Sequence, residues 1–232
     1  MIKIYADGAD LSSIRKLNLD SEINGFTTNP SLLKKSGIVD YKNFAIEAMK
    51  IVTEKPFSFE VITDNLLEMV SQGEEISKWG GDNIFVKIPI INTNGEFTSD
   101  VISTLVSKNI KINITAVFTL NQIDHAINAL GSGTGIVSIF AGRIEDTMID
   151  ASYHFEWAKK RIFSKSSNAK LLWASTREVF SIIKAENCGA DIITIPHDIL
   201  KKRKLANKDL KEYSIETVKQ FYNDAVESGL VI

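Results

Sequence analysis

The chain has 232 residues, 44% of them hydrophobic and 24% charged, the balance of an ordinary soluble globular protein with enough apolar residues for a large core. A formal net charge of −2 leaves no electrostatic footprint for nucleic acid or an anionic membrane, so neither is expected as a partner. A single cysteine, Cys188, excludes an internal disulfide framework and any multi-cysteine metal site.

In chain order, short apolar, β-branched or aromatic runs alternate with longer amphipathic ones. A strand at 2–7 (IKIYAD) leads to a helical pattern at 11–17, a strand at 25–28 (GFTT) to a helix at 43–53, and a strand at 57–62 (FSFEVI) to a helix at 65–79. Strands at 84–88 (IFVKI), 112–116 (INITA) and 136–141 (IVSIFA) precede helices at 99–107, 120–130 and 144–162. Strands at 171–175 (LLWAS) and 192–195 (IITI) flank a helix at 178–187. The chain closes on SIETVKQFYNDAVESG, where Ser214 supplies one half of a capping box. Strict alternation predicts an α/β fold, a single-domain (β/α)8 TIM barrel over 1–232. A doubly wound open sheet shares that periodicity and is the alternative.

The chain opens on a strand, without a charged segment leading into an apolar stretch, and no apolar run could span a bilayer; a cytoplasmic location is the expectation. The basic run KKRK at 201–204 is expected to be a solvated face, with contact to an anionic ligand as the alternative. Cys188 sits at a predicted helix end with no histidine nearby and is expected to be inert. GSGTG at 131–135 looks like a phosphate cradle, but it follows a helix and precedes a strand, the reverse of a phosphate loop. It is expected to stop a helix at the far end of the barrel. His125 and His154 lie on predicted helices without ligand spacing, so no metal is expected.

Chemistry in such barrels sits where strands run into the loops that follow them. The strand ends carry Asp7, Thr27 to Ser31 with Asn29 among them, Glu60, Lys87, Asn113 with Thr115, Phe140 with Arg143, Ser175 with Arg177, and Pro196 with His197. Lys87 interrupts the apolar run DNIFVKIPI. If Ile84, Val86 and Ile88 face the helices, Phe85 and Lys87 face the barrel interior. Desolvation lowers the pKa of an interior lysine and favours free amine, the form that attacks carbonyls; a solvent-facing lysine is the bland alternative. Asp7 and Glu60 are candidates to move protons, although Asp7 could instead cap a helix beginning near Asp10. Arg143 and Arg177 suit a phosphate monoester; local pairing of Arg143 with Glu145 or Asp146, and of Arg177 with Glu178, is the alternative.

Taken in order, ADGAD, GFTTNPSLL, VKIP, NITAVFT, FAGRIED and ASTRE resemble the transaldolase family, in the small subfamily that also contains the fructose-6-phosphate aldolases. The resemblance covers nearly the whole chain. It implies that Lys87 forms the Schiff base, that Asp7 moves the proton of the substrate's C4 hydroxyl, and that Glu60 and Thr115 hold a catalytic water. It further implies that Asn29 and Asn113 bind the dihydroxyacetone unit, that Thr27 lines the site, and that Ser175, Arg143 and Arg177 grip phosphate. No cofactor is implied. The implied partners are phosphorylated sugar substrates and further copies of the chain, in a homo-oligomer that could be a decamer, with the C-terminal helix at about 208–232 packing on a neighbouring subunit.

Glu60, Phe140 and Asn113 stand where the aldolases carry glutamine, carry tyrosine and lack the asparagine, so the resemblance favours transaldolase over aldolase. Thr176 replaces an aromatic usual in transaldolases, and Ala6 and Gly8 flank Asp7 where larger or hydroxylated residues are common. A barrel that binds sugar phosphate without turnover is a third reading. It would have no use for an interior lysine.

Overall fold

The structure is a computed structural model describing residues 1–165 and 167–231. Residues Met1–Leu200 form one compact unit and Lys201–Ile232 a second. In the first, eight parallel strands close into a barrel in the order β1 to β8. It begins β1 (Lys3–Asp7), α1 (Leu11–Asn18), β2 (Ile23–Thr27), α2 (Pro30–Lys35), α3 (Tyr41–Ile51), β3 (Phe57–Glu60), α4 (Leu66–Ile76) and β4 (Ile84–Pro89). Then follow α5 (Ser99–Ser107), β5 (Ile112–Val117), α6 (Leu120–Leu130), β6 (Gly135–Ile139), α7 (Ala141–Glu145), α8 (Ser152–Ser164), β7 (Lys170–Trp173), α9 (Ser181–Asn187), β8 (Ile192–Pro196) and α10 (His197–Leu200). The sheet is therefore a closed barrel and not an open one, with all eight strands where the alternation of the sequence puts them.

Side chains alternate along each strand, so closure sorts them into two cores. Outward residues such as Phe26, Phe57, Phe59, Val86, Ile88 and Trp173 are fully buried beneath the helices. Phe57 and Phe59 stack 4.4 Å apart, and Trp173 stacks on Phe155 of α8 at 5.0 Å. Inward residues Tyr5, Ile136, Leu172 and Ile192 pack with Phe85 to fill the barrel itself. Gly25 makes room for that packing, since a Cβ there would lie 2.6 Å from the Tyr5 ring.

Helix starts follow capping chemistry. Asp10, Asp40 and Asn65 accept backbone N–H bonds at the heads of α1, α3 and α4, and Thr119 with Gln122 forms a complete capping box at α6. Asp10, and not Asp7, is the cap of α1. The short α2, capped by Asn29, and α10 are additions to the expected pattern. The helix expected at 144–162 is two helices, because Met148 is left-handed (φ 64°) between them. GSGTG behaves as expected: Gly131 ends α6 at φ 54° and Gly135 opens β6.

The second unit holds a 3-10 turn, Lys201–Leu205, and α11 (Leu210–Glu227). Lys201, Lys202 and Lys204 are exposed, in keeping with a solvated basic face. The helix starts at Leu210 with Asp209 as its cap, four residues before Ser214, so the half capping box plays no part. Val218, Phe221 and Tyr222 are 63%, 64% and 69% exposed. Ile232, the last residue of the expected C-terminal segment, lies outside the described residues. Among the described residues no helix is long and apolar enough to cross a membrane, and no group of three or more His, Cys, Asp or Glu side chains could hold a metal ion. Cys188 is buried, and burial pushes its thiol up to about 11.

The short helix α7 that follows β6 meets the loop that follows β7 backbone to backbone. A Cβ on Gly142 would lie 1.7 Å from the Ser175 carbonyl oxygen. Gly142→Ala is expected to destabilise the protein by about 3 kcal/mol, the upper range for overpacking against a rigid neighbour. Urea denaturation measures the loss.

Candidate active site

Register brings the polar strand ends together. Glu60 is paired with Lys87, and Lys87 with Asn113, across β3, β4 and β5; Asp7 is paired with Thr27 across β1 and β2. The residues that the resemblance places in the site, with Phe140, line one cavity of about 410 Å³ at the C-terminal mouth: Asp7, Thr27, Asn29, Glu60, Lys87, Asn113, Thr115, Phe140, Arg143, Ser175 and Arg177.

Lys87 is interior, with its side chain only 7% exposed. It has partners: Nζ lies 2.9 Å from Glu60 Oε2 and donates to the Thr28 carbonyl at 2.8 Å. Glu60 is held in turn through its backbone. The Tyr41 hydroxyl donates to the Glu60 carbonyl at 3.0 Å and accepts from the Glu60 N–H at 2.7 Å. Burial keeps that phenol protonated, raising it far above its ordinary value, so the clamp persists.

Asp7 shares the cavity. Its Oδ1 accepts the Thr27 hydroxyl at 2.7 Å. Desolvation raises the Asp7 carboxyl above its ordinary value, with Glu60 acting in the same direction, and Lys87 and the Thr27 hydrogen bond opposing them. Asp7 is thereby suited to exchange a proton.

Asn113 is buried with both ends of its amide engaged: Oδ1 accepts from Ser138 Oγ at 2.6 Å and Nδ2 donates to Ser58 Oγ at 3.0 Å. One amide N–H is left for a ligand. Thr115 Oγ1 is buried and has no hydrogen-bond partner among the described residues, which fits a group that binds water or a substrate hydroxyl. Asn29 is committed in part to the head of α2, accepting from Leu32 N–H at 3.0 Å.

The rim is cationic and more open. Arg143 and Arg177 are both exposed. The Arg143 guanidinium lies 5.3 Å from the centroid of the Phe140 ring, a cation–π arrangement, while Glu145 pairs with Lys184. Arg177 Nε and Nη2 reach Asp146 Oδ2 at 3.0 and 2.7 Å. The expected alternatives are thus corrected: Glu145 points to Lys184, and Arg177 turns away from its neighbour Glu178 to Asp146, whose carboxyl it holds low. Ser175 is left-handed (φ 63°), a conformation that costs a non-glycine residue about 1 kcal/mol or more and that here accompanies its place on the cavity wall.

Sequence reasoning missed Ser138, Thr194 and Tyr41, and gave Thr176 only as a departure from the family's pattern. Thr194 Oγ1 lies 2.6 Å from Thr27 Oγ1, and Thr176 Oγ1 donates to the Thr194 carbonyl at 2.7 Å. A signal for two of them was present: stepping back two residues from Phe140 and from Pro196 along an alternating strand gives Ser138 and Thr194.

A raised Asp7 means that the folded state holds this proton more tightly than the unfolded chain, so stability falls as pH rises from the unfolded pKa toward the folded one. Asp7→Asn removes that cost while keeping an acceptor for Thr27. The variant is expected to melt above the wild type at pH 7, and the advantage to vanish below about pH 4, where the unfolded carboxyl is also protonated. Thermal melts across that range measure it.

The chain is similar to known proteins over most of its length. The family model described as Transaldolase/Fructose-6-phosphate aldolase matches residues 4–230. A probable transaldolase of Methanococcus maripaludis is 32% identical over 215 residues, spanning 93% of this chain and 94% of its own. One of Streptococcus agalactiae is 34% identical, spanning 84% and 86%, and one of Carboxydothermus hydrogenoformans 35%, spanning 86% and 88%. Among solved structures, an HpcH/HpaI aldolase/citrate lyase family protein from Burkholderia cenocepacia superposes with a TM-score of 0.61 at 7% identity, over 92% of this chain and 95% of that one. A putative lyase/mutase from the same organism gives 0.62 at 10% identity, over 88% and 79%. These two likenesses concern the barrel fold alone.

Proposed function

The chain belongs to the transaldolase/fructose-6-phosphate aldolase family, and on that premise we propose that it is a transaldolase working through a Schiff base on Lys87. The observation that carries the proposal is a buried lysine amine 2.9 Å from the Glu60 carboxylate, in one cavity with Asp7, whose carboxyl burial raises above its ordinary value. The donor is a ketose phosphate, fructose 6-phosphate or sedoheptulose 7-phosphate, and the acceptor an aldose phosphate, erythrose 4-phosphate or glyceraldehyde 3-phosphate.

Lys87 passes its proton to Glu60, and the free amine adds to the ketose carbonyl. Glu60, with a water bound at Thr115, returns a proton so that the carbinolamine loses water and becomes an iminium. Asp7 then takes the proton of the C4 hydroxyl. The C3–C4 bond breaks, its electron pair neutralises the iminium, and an aldehyde phosphate leaves a three-carbon enamine on Lys87. Asn113 and Asn29 hold that fragment. The enamine carbon attacks the acceptor aldehyde, Asp7 returns its proton to the new alkoxide, and water releases the lengthened ketose.

Arg143, Arg177 and Ser175 bind the phosphate of donor and acceptor at the rim, where a guanidinium fork matches phosphate oxygens. Transfer is favoured over free aldol cleavage by Phe140, which has no hydroxyl to help deliver a proton to the enamine carbon. The exposed apolar residues of α11, among them Val218, Phe221 and Tyr222, fit a homo-oligomer in which this helix packs on another copy.

Incubation with fructose 6-phosphate and borohydride is expected to fix a three-carbon or six-carbon adduct on Lys87, located by mass spectrometry. Glyceraldehyde 3-phosphate release is expected to require erythrose 4-phosphate. Release without an acceptor would instead make the enzyme an aldolase, and a wild-type protein with no adduct would leave neither reading standing.

A further inference from the structure

Thr27 and Thr194 flank Asp7 from β2 and β8, and both are buried. The Thr27 hydroxyl oxygen is 2.7 Å from Asp7 Oδ1 and 2.6 Å from Thr194 Oγ1. A threonine hydroxyl carries one proton, and an ionised carboxylate only accepts. The Thr27 proton therefore points to Asp7 whenever Asp7 is charged, and Thr194 must donate to Thr27. Thr194 is itself anchored, its carbonyl accepting the buried Thr176 hydroxyl at 2.7 Å.

We propose that Thr194 is a positioning residue for Asp7: by donating to Thr27 it keeps the Thr27 proton on Oδ1, leaving Oδ2 as the oxygen that takes and returns the substrate's C4 proton. The inference rests on the aldol reading of this site. In cleavage, the C4 hydroxyl proton moves to Oδ2 and the C3–C4 electron pair to the iminium; in transfer, Oδ2 returns the proton to the new alkoxide. The threonines lose no proton in either direction. Their chain polarises the bond to Asp7 and stabilises its charged form. The other charged or titratable groups around Asp7 are Lys87 from β4 and Glu60 from β3, Arg143 and Arg177 on the cavity rim, and His197, whose ring is seated against Gly8. A substitution at Thr194 removes none of them.

Thr194→Val deletes the hydroxyl at similar volume, Thr194→Ala repeats the deletion with a smaller side chain, and Thr194→Ser restores the donor. Infrared difference titration of the ligand-free protein, with Asp7→Asn identifying the band, is expected to place the Asp7 carboxyl about one unit higher in the deletions, the size of one lost hydrogen bond. Thr194→Ser is expected to return it to the wild-type value. In single turnover, the deletions are expected to form the Lys87 adduct at wild-type yield and to cleave C3–C4 about 10-fold more slowly, with recovery in Thr194→Ser. An unchanged titration, or a slowed cleavage that serine fails to restore, would overturn the proposal. If the wild type forms no adduct the aldol reading fails, and the titration, which needs no substrate, still decides whether Thr194 acts on Asp7.

Discussion

The site depends on one buried ion pair, Lys87 with Glu60. Their side chains are 7% and 17% exposed, and taking each charge out of water costs several kcal/mol unless the other answers it. That demand fixes register. Glu60, Lys87 and Asn113 stand side by side on three neighbouring strands. Sliding β4 by one residue would turn Lys87 into the helix-facing core beside Val86 and Ile88 and remove its partner. The aromatic floor of Tyr5 and Phe85 enforces the same register from below, because those residues alternate in step with Asp7 and Lys87. Barrel packing and site chemistry are therefore satisfied by one alignment of the strands.

Much of this was legible because a period of two is a strong signal. The eight strands could be found from apolar runs, and once they close, inward and outward residues follow from parity. What local sequence hid were features set by distant neighbours. The second strand begins at Ile23, two residues earlier than its composition suggests, since Asn24 and Gly25 look like a turn; Gly25 is instead a gap that the Tyr5 ring fills. The continuous helical pattern at 144–162 is broken at Met148, and Asp146, in the break, is taken by Arg177 from 31 residues away. No local spacing announces that pair. Ser138 and Thr194 were overlooked because small hydroxyl residues in apolar strands look like filler, and their use emerges only when neighbouring strands meet around Asp7 and Asn113.

Two carboxylates in one cavity are given different surroundings, the arrangement that separates acid and base roles on a single fold. Glu60 faces an ammonium at 2.9 Å. Asp7 has a hydroxyl instead, and burial pushes it toward the protonated form. The contrast arises from strand order: Glu60 is on the strand next to Lys87, while Asp7 is three strands away around the barrel.

Depth separates the remaining tasks. Lys87 is tied to Glu60 and the Thr28 carbonyl, and Asn113 to Ser58 and Ser138, so on the proposed reading the groups at the level of the reacting carbonyl have little freedom to turn away from it. The rim is built differently. Arg177 and Asp146 are about half exposed, at 49% and 51%, and an ion pair in that setting adds little to stability. Its effect is orientation: two guanidinium nitrogens are tied to a carboxylate, leaving the remaining N–H groups to meet a phosphate on the proposed reading. In the transfer proposed for this chain, a phosphate is gripped and released in each half of the reaction, whereas the carbon fragment stays fixed between them. A rigid, desolvated floor beneath a solvated, loosely paired rim meets both requirements at once.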